Sequence, residues 1–239
     1  MSLPPLLSTS LEYRDDDLLL RGALFREDVS GESFPGVLVV HAARGLDAEV
    51  RRRAEAVARL GYVALAVDLY GDGFVAEDME EARRWMNPLR ENPAKLRKRI
   101  SAGLEALRAQ PGVDHKRIAA IGYCLGGTTV LELARSGATI AGVVSFHGGL
   151  EMKQPAEPGA VKAKLLVLTG AEDPVIPPAQ VAAFQDEMRR AETDWQLTIY
   201  SGARHAFTDP RSANYQKASD VRSWAAMRLF FEEIFRVEE

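Results

Sequence analysis

Short, uninterrupted apolar runs alternate along this chain with segments whose apolar positions recur every three or four residues. That alternation predicts a mainly parallel sheet with helices on both faces, because a strand covered on both sides carries no polar alternation. "GVLVV", "YVALAVDLYG", "RIAAIG", "IAGVVSF", "KLLVLTG" and "QLTIY" read as strands. "DAEVRRRAEAVARLG", stopped by Gly61, reads as a helix, as do "MEEARRWM", "PAKLRKRISAGLEALRAQ", "GTTVLELARSG", residues 179–191 and "VRSWAAMRLFFEEIF". An antiparallel pair near residues 12–14 and 18–25 is expected ahead of them. The Pro-, Gly- and charge-rich "GGLEMKQPAEPGAVKAK" reads as a loop between two strands of one sheet rather than as a linker, so residues 1–239 are expected to form a single α/β domain.

Composition narrows the function classes. With 46% hydrophobic residues the chain can bury a substantial core, and its formal net charge of −4, both signs interspersed, supplies no basic field for nucleic acid or an anionic membrane. The cationic runs "VRRRAEAVARL" and "AKLRKRI" lie in helical segments, where a solvated face accounts for them. A small-molecule partner is the expectation. The segment "MSLPPLLSTSLEYRDDD" has no signal-peptide pattern and no apolar run is long enough to span a bilayer, which predicts a soluble, cytoplasmic protein. A lone cysteine excludes an internal disulfide, and His41, His115, His147 and His205 lack the close spacings of zinc sites, so no metal is implied.

The lone cysteine falls at a strand-to-helix turn. Gly122-Tyr123-Cys124-Leu125-Gly126 fits the pattern glycine, any residue, nucleophile, any residue, glycine, in which a sharp turn lifts the central side chain above the sheet. The following helix aims its N-terminal N–H groups at the thiol and favours thiolate. On the motif alone a buried structural cysteine fits equally well. Two later strand ends favour chemistry: Asp173 in "LTGAEDPVIP" and His205 in "GARHAF" follow the nucleophile in the order acid, then base. Together they would form a Cys124–His205–Asp173 triad, His205 taking the thiol proton and Asp173 holding the imidazole tautomer. The backbone N–H groups of Leu125 and Ala43 are the candidate oxyanion donors. Ala42 and Ala43 are small either for close approach to substrate or for packing alone.

These residues resemble the dienelactone hydrolases, cysteine-nucleophile members of the α/β-hydrolase fold. The resemblance rests on "VVHAARGL", "VDLYGDG", "RIAAIGYCLGG", "LTGAEDPVIP" and "GARHAF" in family order. It implies a cofactor-free hydrolase of esters or lactones with Cys124, Asp173 and His205 as the triad. Two departures bear on substrate. Where members that cleave dienelactone have a glutamate after the strand-end histidine, this chain has Ala42, and where they have carboxylate-gripping arginines it offers Asp72 and Asp209. A less anionic substrate is therefore expected. Arg44 and Arg211 lie near those positions, either as a substitute grip or as surface residues. His147 either lines the pocket or is a satisfied loop histidine, and Tyr123 and Phe207 either shape the acyl pocket or pack beside the turn. The alternatives are a hydrolase-fold binding protein with negligible turnover and a redox-sensing thiol, the latter lacking a second cysteine to resolve a sulfenic acid.

Overall fold

A tight turn at Asp16 and Asp17 joins β1 (Leu6–Asp15) to β2 (Leu18–Glu27), two antiparallel strands paired along their whole length from Leu6↔Glu27 to Asp15↔Leu18. They run longer than the apolar pattern predicts. The outer strand, "LLSTSLEYRD", is largely exposed, so backbone pairing rather than burial carries the extra residues. The computed structural model describes residues 4–28 and 33–236. The first three residues of the N-terminal segment lie outside that range.

Strands in spatial order β1-β2-β4-β3-β5-β6-β7-β8 form one eight-stranded, mostly parallel sheet. Contacts divide the chain into two compact units, Met1–Ala120 and Ile121–Glu239. In the first, β3 (Phe34–Val40) and β4 (Val63–Val67) run parallel, and β2 pairs antiparallel with β4. Every residue of β4, and of β3 from Pro35 onward, is buried, so both faces of these strands are covered. Helix α1 (Ala48–Ala58) packs on β2, β3 and β4, and α3 (Pro93–Arg108) packs on β1, β3 and β4. Each helix of this unit starts at a side-chain cap: Asp47 for α1, Asp78 for α2 (Met79–Arg90) and Asn92 for α3. Helix α2 continues a turn past "MEEARRWM" and carries Pro88 within it. Buried Leu89 anchors that last turn despite the missing proline N–H.

Strand β5 (Val113–Tyr123) spans the division between the units. The second unit continues with α4 (Leu125–Arg135), β6 (Gly142–Phe146), β7 (Lys164–Gly170), α5 (Pro178–Arg190), β8 (Trp195–Tyr200) and α6 (Lys217–Ile234), with β6, β7 and β8 parallel. The "GGLEMKQPAEPGAVKAK" stretch is the loop from β6 to β7. A buried charge cluster braces α4 against α5. Arg135 donates two bonds to Glu187, at 2.9 and 2.8 Å, and one to Glu132 at 2.9 Å. Helix α4 follows the Cys124 turn and α5 follows the Asp173 loop, so the cluster ties down both elements that leave the candidate site. No helix among the described residues is long and apolar enough to cross a membrane.

Candidate active site

Between the last residue of β5, Tyr123, and the first of α4, Leu125, there is only Cys124, whose backbone reverses direction at φ 53°, ψ −111°. Few residues with a Cβ adopt that conformation, and holding it costs about 1–3 kcal/mol. The neighbouring glycines make the turn possible. A Cβ at Gly122 would lie 2.0 Å from the Gly126 carbonyl oxygen, and one at Gly127 would lie 2.7 Å from Gly148 Cα. Gly122→Ala is accordingly expected to destabilise the protein by on the order of 3 kcal/mol, since backbone rather than a mobile side chain must move. Thermal unfolding of the variant checks this; an unchanged midpoint would contradict the crowding.

The two downstream residues converge on the sulfur. Asp173, in the loop after β7, has a fully buried side chain. One carboxylate oxygen accepts the Val175 N–H at 2.9 Å and the other lies 2.9 Å from His205 Nδ1. His205, in the loop after β8, points Nε2 at Cys124 Sγ across 3.1 Å, and its own carbonyl accepts from the Asn214 side chain. With a carboxylate facing Nδ1, the proton sits on Nδ1 and Nε2 is left to exchange a proton with sulfur. Burial by itself lowers the His205 pKa. The hydrogen bonds and negative charges of Asp173 and Cys124 outweigh it and bring the value up to about 10. Such a relay can take a proton from a thiol and return it to a leaving group.

The other predicted residues have more varied surroundings. Leu125 is buried at the N-terminus of α4, where the first N–H groups have no intrahelical partner. Ala43 is buried in the first unit with Ala76 and Ala82, and its carbonyl accepts the Tyr70 hydroxyl at 2.7 Å. Arg44 folds back on its own unit, donating to the carbonyls of Ala76 and Glu77. Tyr123 stacks on Phe146 at 4.6 Å, Phe207 is fully buried against His147 and Tyr200, and His147 is itself buried. These three rings fill the interior around the turn and present little surface.

Asp72 and Asp209 are each paired with an arginine. Asp72 pairs with Arg21 at 2.6 Å, and Asp209 takes a two-point contact from Arg211 at 3.0 and 2.9 Å. Arg211 is likewise committed to Asp209. The "VDLYGDG" motif has a structural explanation within its unit: buried Asp68 accepts backbone N–H groups from Arg21, Tyr70, Gly71 and Gly73, which shapes the loop that follows β4. Thr208 was not singled out by sequence, yet it lies 2.8 Å from His147 Nε2. A threonine in a loop carries no pattern that would have marked it.

A mostly parallel eight-stranded sheet with a strained residue at the turn from β5 into its helix is the architecture of the α/β hydrolases. Within that class the chain belongs to the dienelactone hydrolase family, which it matches over residues 20–235. The solved structure m3DLH is 42% identical, with a TM-score of 0.92, over 97% of this chain and 99% of its own. A dienelactone hydrolase-like promiscuous phosphotriesterase from metagenomic libraries is 36% identical, also with a TM-score of 0.92, over 96% and 98% of the two chains. A carboxymethylenebutenolidase by name, from Synechocystis sp., is 25% identical over 94% of this chain and 96% of its own. The protein is thus a hydrolase of the ester or lactone type.

Proposed function

We propose that the protein hydrolyses uncharged carboxylic esters or lactones through an acyl-thioester on Cys124. The observation that carries this reading is the run Cys124 Sγ, His205, Asp173, spaced 3.1 and 2.9 Å apart, at a strained strand-to-helix turn. In the proposed sequence the sulfur attacks the substrate carbonyl carbon, and the oxyanion that forms is held by the Leu125 N–H at the start of α4. The His205 imidazolium then gives its Nε2 proton to the departing alkoxide, leaving the thioester. Neutral His205 next takes a proton from water, whose oxygen attacks the thioester. Collapse releases the acid and the thiolate, with the proton back on His205.

The reaction therefore needs His205 protonated before attack. A group whose pKa is about 10 in the folded enzyme loses its proton only as pH rises through that value, so kcat/KM is expected to fall on the alkaline side near pH 10. Asp173→Asn should move this limb to lower pH, because the Asp173 bond and charge help hold the proton. A pH–rate profile measures both. An alkaline limb near pH 7 in the unaltered enzyme would contradict the assignment.

Charge distribution supports a neutral substrate. Arg44 donates to the carbonyls of Ala76 and Glu77, in the loop after β4, and Arg211 is bonded to Asp209. An anionic lactone thus lacks a charge-assisted contact worth about 1.5–3 kcal/mol. Aryl acetates are expected to show kcat/KM at least roughly tenfold higher than carboxylate-bearing lactones of similar size. One preparation, assayed on both with Cys124→Ala as control, decides it, and a preference for the anion would point to Arg44 or Arg211 as a grip. The 36% identical phosphotriesterase favours adding a neutral aryl phosphotriester to the panel as a second substrate class.

A further inference from the structure

His147 follows directly on β6, and the proposed chemistry makes no use of it. It is only 2% exposed, yet both ring nitrogens are engaged. Nδ1 accepts the Cys124 backbone N–H at 3.2 Å, a donor it shares with the Phe146 carbonyl at 3.0 Å, and Nε2 lies 2.8 Å from Thr208 Oγ1. An acceptor at Nδ1 requires the neutral tautomer with its proton on Nε2, so the ring donates to Thr208. The His147 backbone N–H donates to the Leu168 carbonyl at 2.8 Å, on β7, the strand that leads to Asp173. One residue is therefore bonded to the nucleophile's turn, to the strand before the acid and to the loop after the base. Its ring also meets the His205 ring edge-on, with centroids 5.3 Å apart.

Two features set this apart from ordinary core filling. The backbone of His147 has φ 42°, a strained value that persists only where its surroundings fix it. A leucine or phenylalanine would fill the same space with no polar atoms to satisfy, whereas here both nitrogens are spent on the two segments whose separation matters.

We propose that His147 is a positioning residue that ties the Cys124 backbone to Thr208 and thereby holds Cys124 and His205 at reacting distance. This rests on the Cys124–His205 reading above. Its ring nitrogens are both occupied by protein, so it acts through those residues and not on substrate.

Four variants test it. His147→Leu removes both bonds at similar volume, Thr208→Val removes one at nearly constant shape, His147→Asn keeps an acceptor near the Nδ1 position, and His147→Gln keeps a donor near Nε2. In His147→Leu, kcat is expected to fall by roughly 10- to 100-fold with KM unchanged, as for a misplaced catalytic pair. Iodoacetamide should alkylate its Cys124 more slowly at pH 7. Thr208→Val should move both readouts the same way by less, and His147→Asn and His147→Gln should each recover part of the loss. A core-filling role would lower only the unfolding temperature. Unaltered kcat and alkylation rate in folded His147→Leu would overturn the proposal, as they would in Thr208→Val should His147→Leu not fold. Cys124→Ala, run alongside, separates the two claims: turnover retained there sinks the nucleophile reading, whereas an inactive Cys124→Ala with fully active His147 and Thr208 variants sinks only the positioning role.

Discussion

Cys124→Ala is expected to lose ester turnover by a factor on the order of 10⁴ or more, with the fold intact. The side chain is partly exposed and alanine is smaller, so the substitution creates no clash, and the Cys124 backbone bonds to Phe146 and His147 do not involve the sulfur. What is lost is the nucleophile itself. The chain has no second cysteine to take over, and water activated by His205 would have to attack without a covalent intermediate. The measurement is kcat on an aryl acetate beside a circular dichroism spectrum. A variant that keeps even a tenth of the activity would remove Cys124 from the mechanism.

Asp173→Asn is expected to lower kcat by on the order of 10²–10⁴, more than the loss of one hydrogen bond would suggest. The carboxylate accepts at both oxygens, from the Val175 N–H and from His205 Nδ1. An asparagine amide has one acceptor and must choose. If its oxygen stays on Val175, its NH₂ faces His205 and pushes the imidazole into the wrong tautomer. If it flips, the NH₂ faces the Val175 N–H, two donors in a buried place. Either orientation removes the negative charge that helps raise the His205 pKa. Activity close to that of the unaltered enzyme would mean that Asp173 serves only the loop; Glu172→Gln combined with Asp173→Asn excludes rescue by the neighbouring acid.

The parallel strands could be read from sequence because burial on both faces leaves them continuously apolar: "GVLVV" and "KLLVLTG" lie within β3 and β7. The antiparallel edge was legible only in part, since exposed β1 is held by backbone pairing that leaves no periodicity of side-chain character. The turn at Cys124 was legible for a steric reason. Gly122 and Gly127 stand where backbone passes too close for a Cβ, and no other residue type fits. Asp173 and His205 stood out as candidates because each follows an apolar strand, and the fold brings them within 2.9 Å of one another.

What could not be read was how long polar side chains pair. Nothing in the spacing of Asp72 and Arg21 announces an ion pair between strand and loop, and the sequence does not show that Arg211 folds onto Asp209. The bonds of His147 to Cys124 and Thr208 join residues far apart in the chain, which is information that only the fold supplies.

The central claim is that a covalent acyl group forms on Cys124, and intact-mass spectrometry of enzyme quenched during turnover of an aryl ester tests it most directly. The account predicts a species heavier by one acyl group, mapped by peptide digestion to Cys124 and absent from Cys124→Ala. Steady turnover with no adduct on Cys124, or an adduct on another residue, would contradict it.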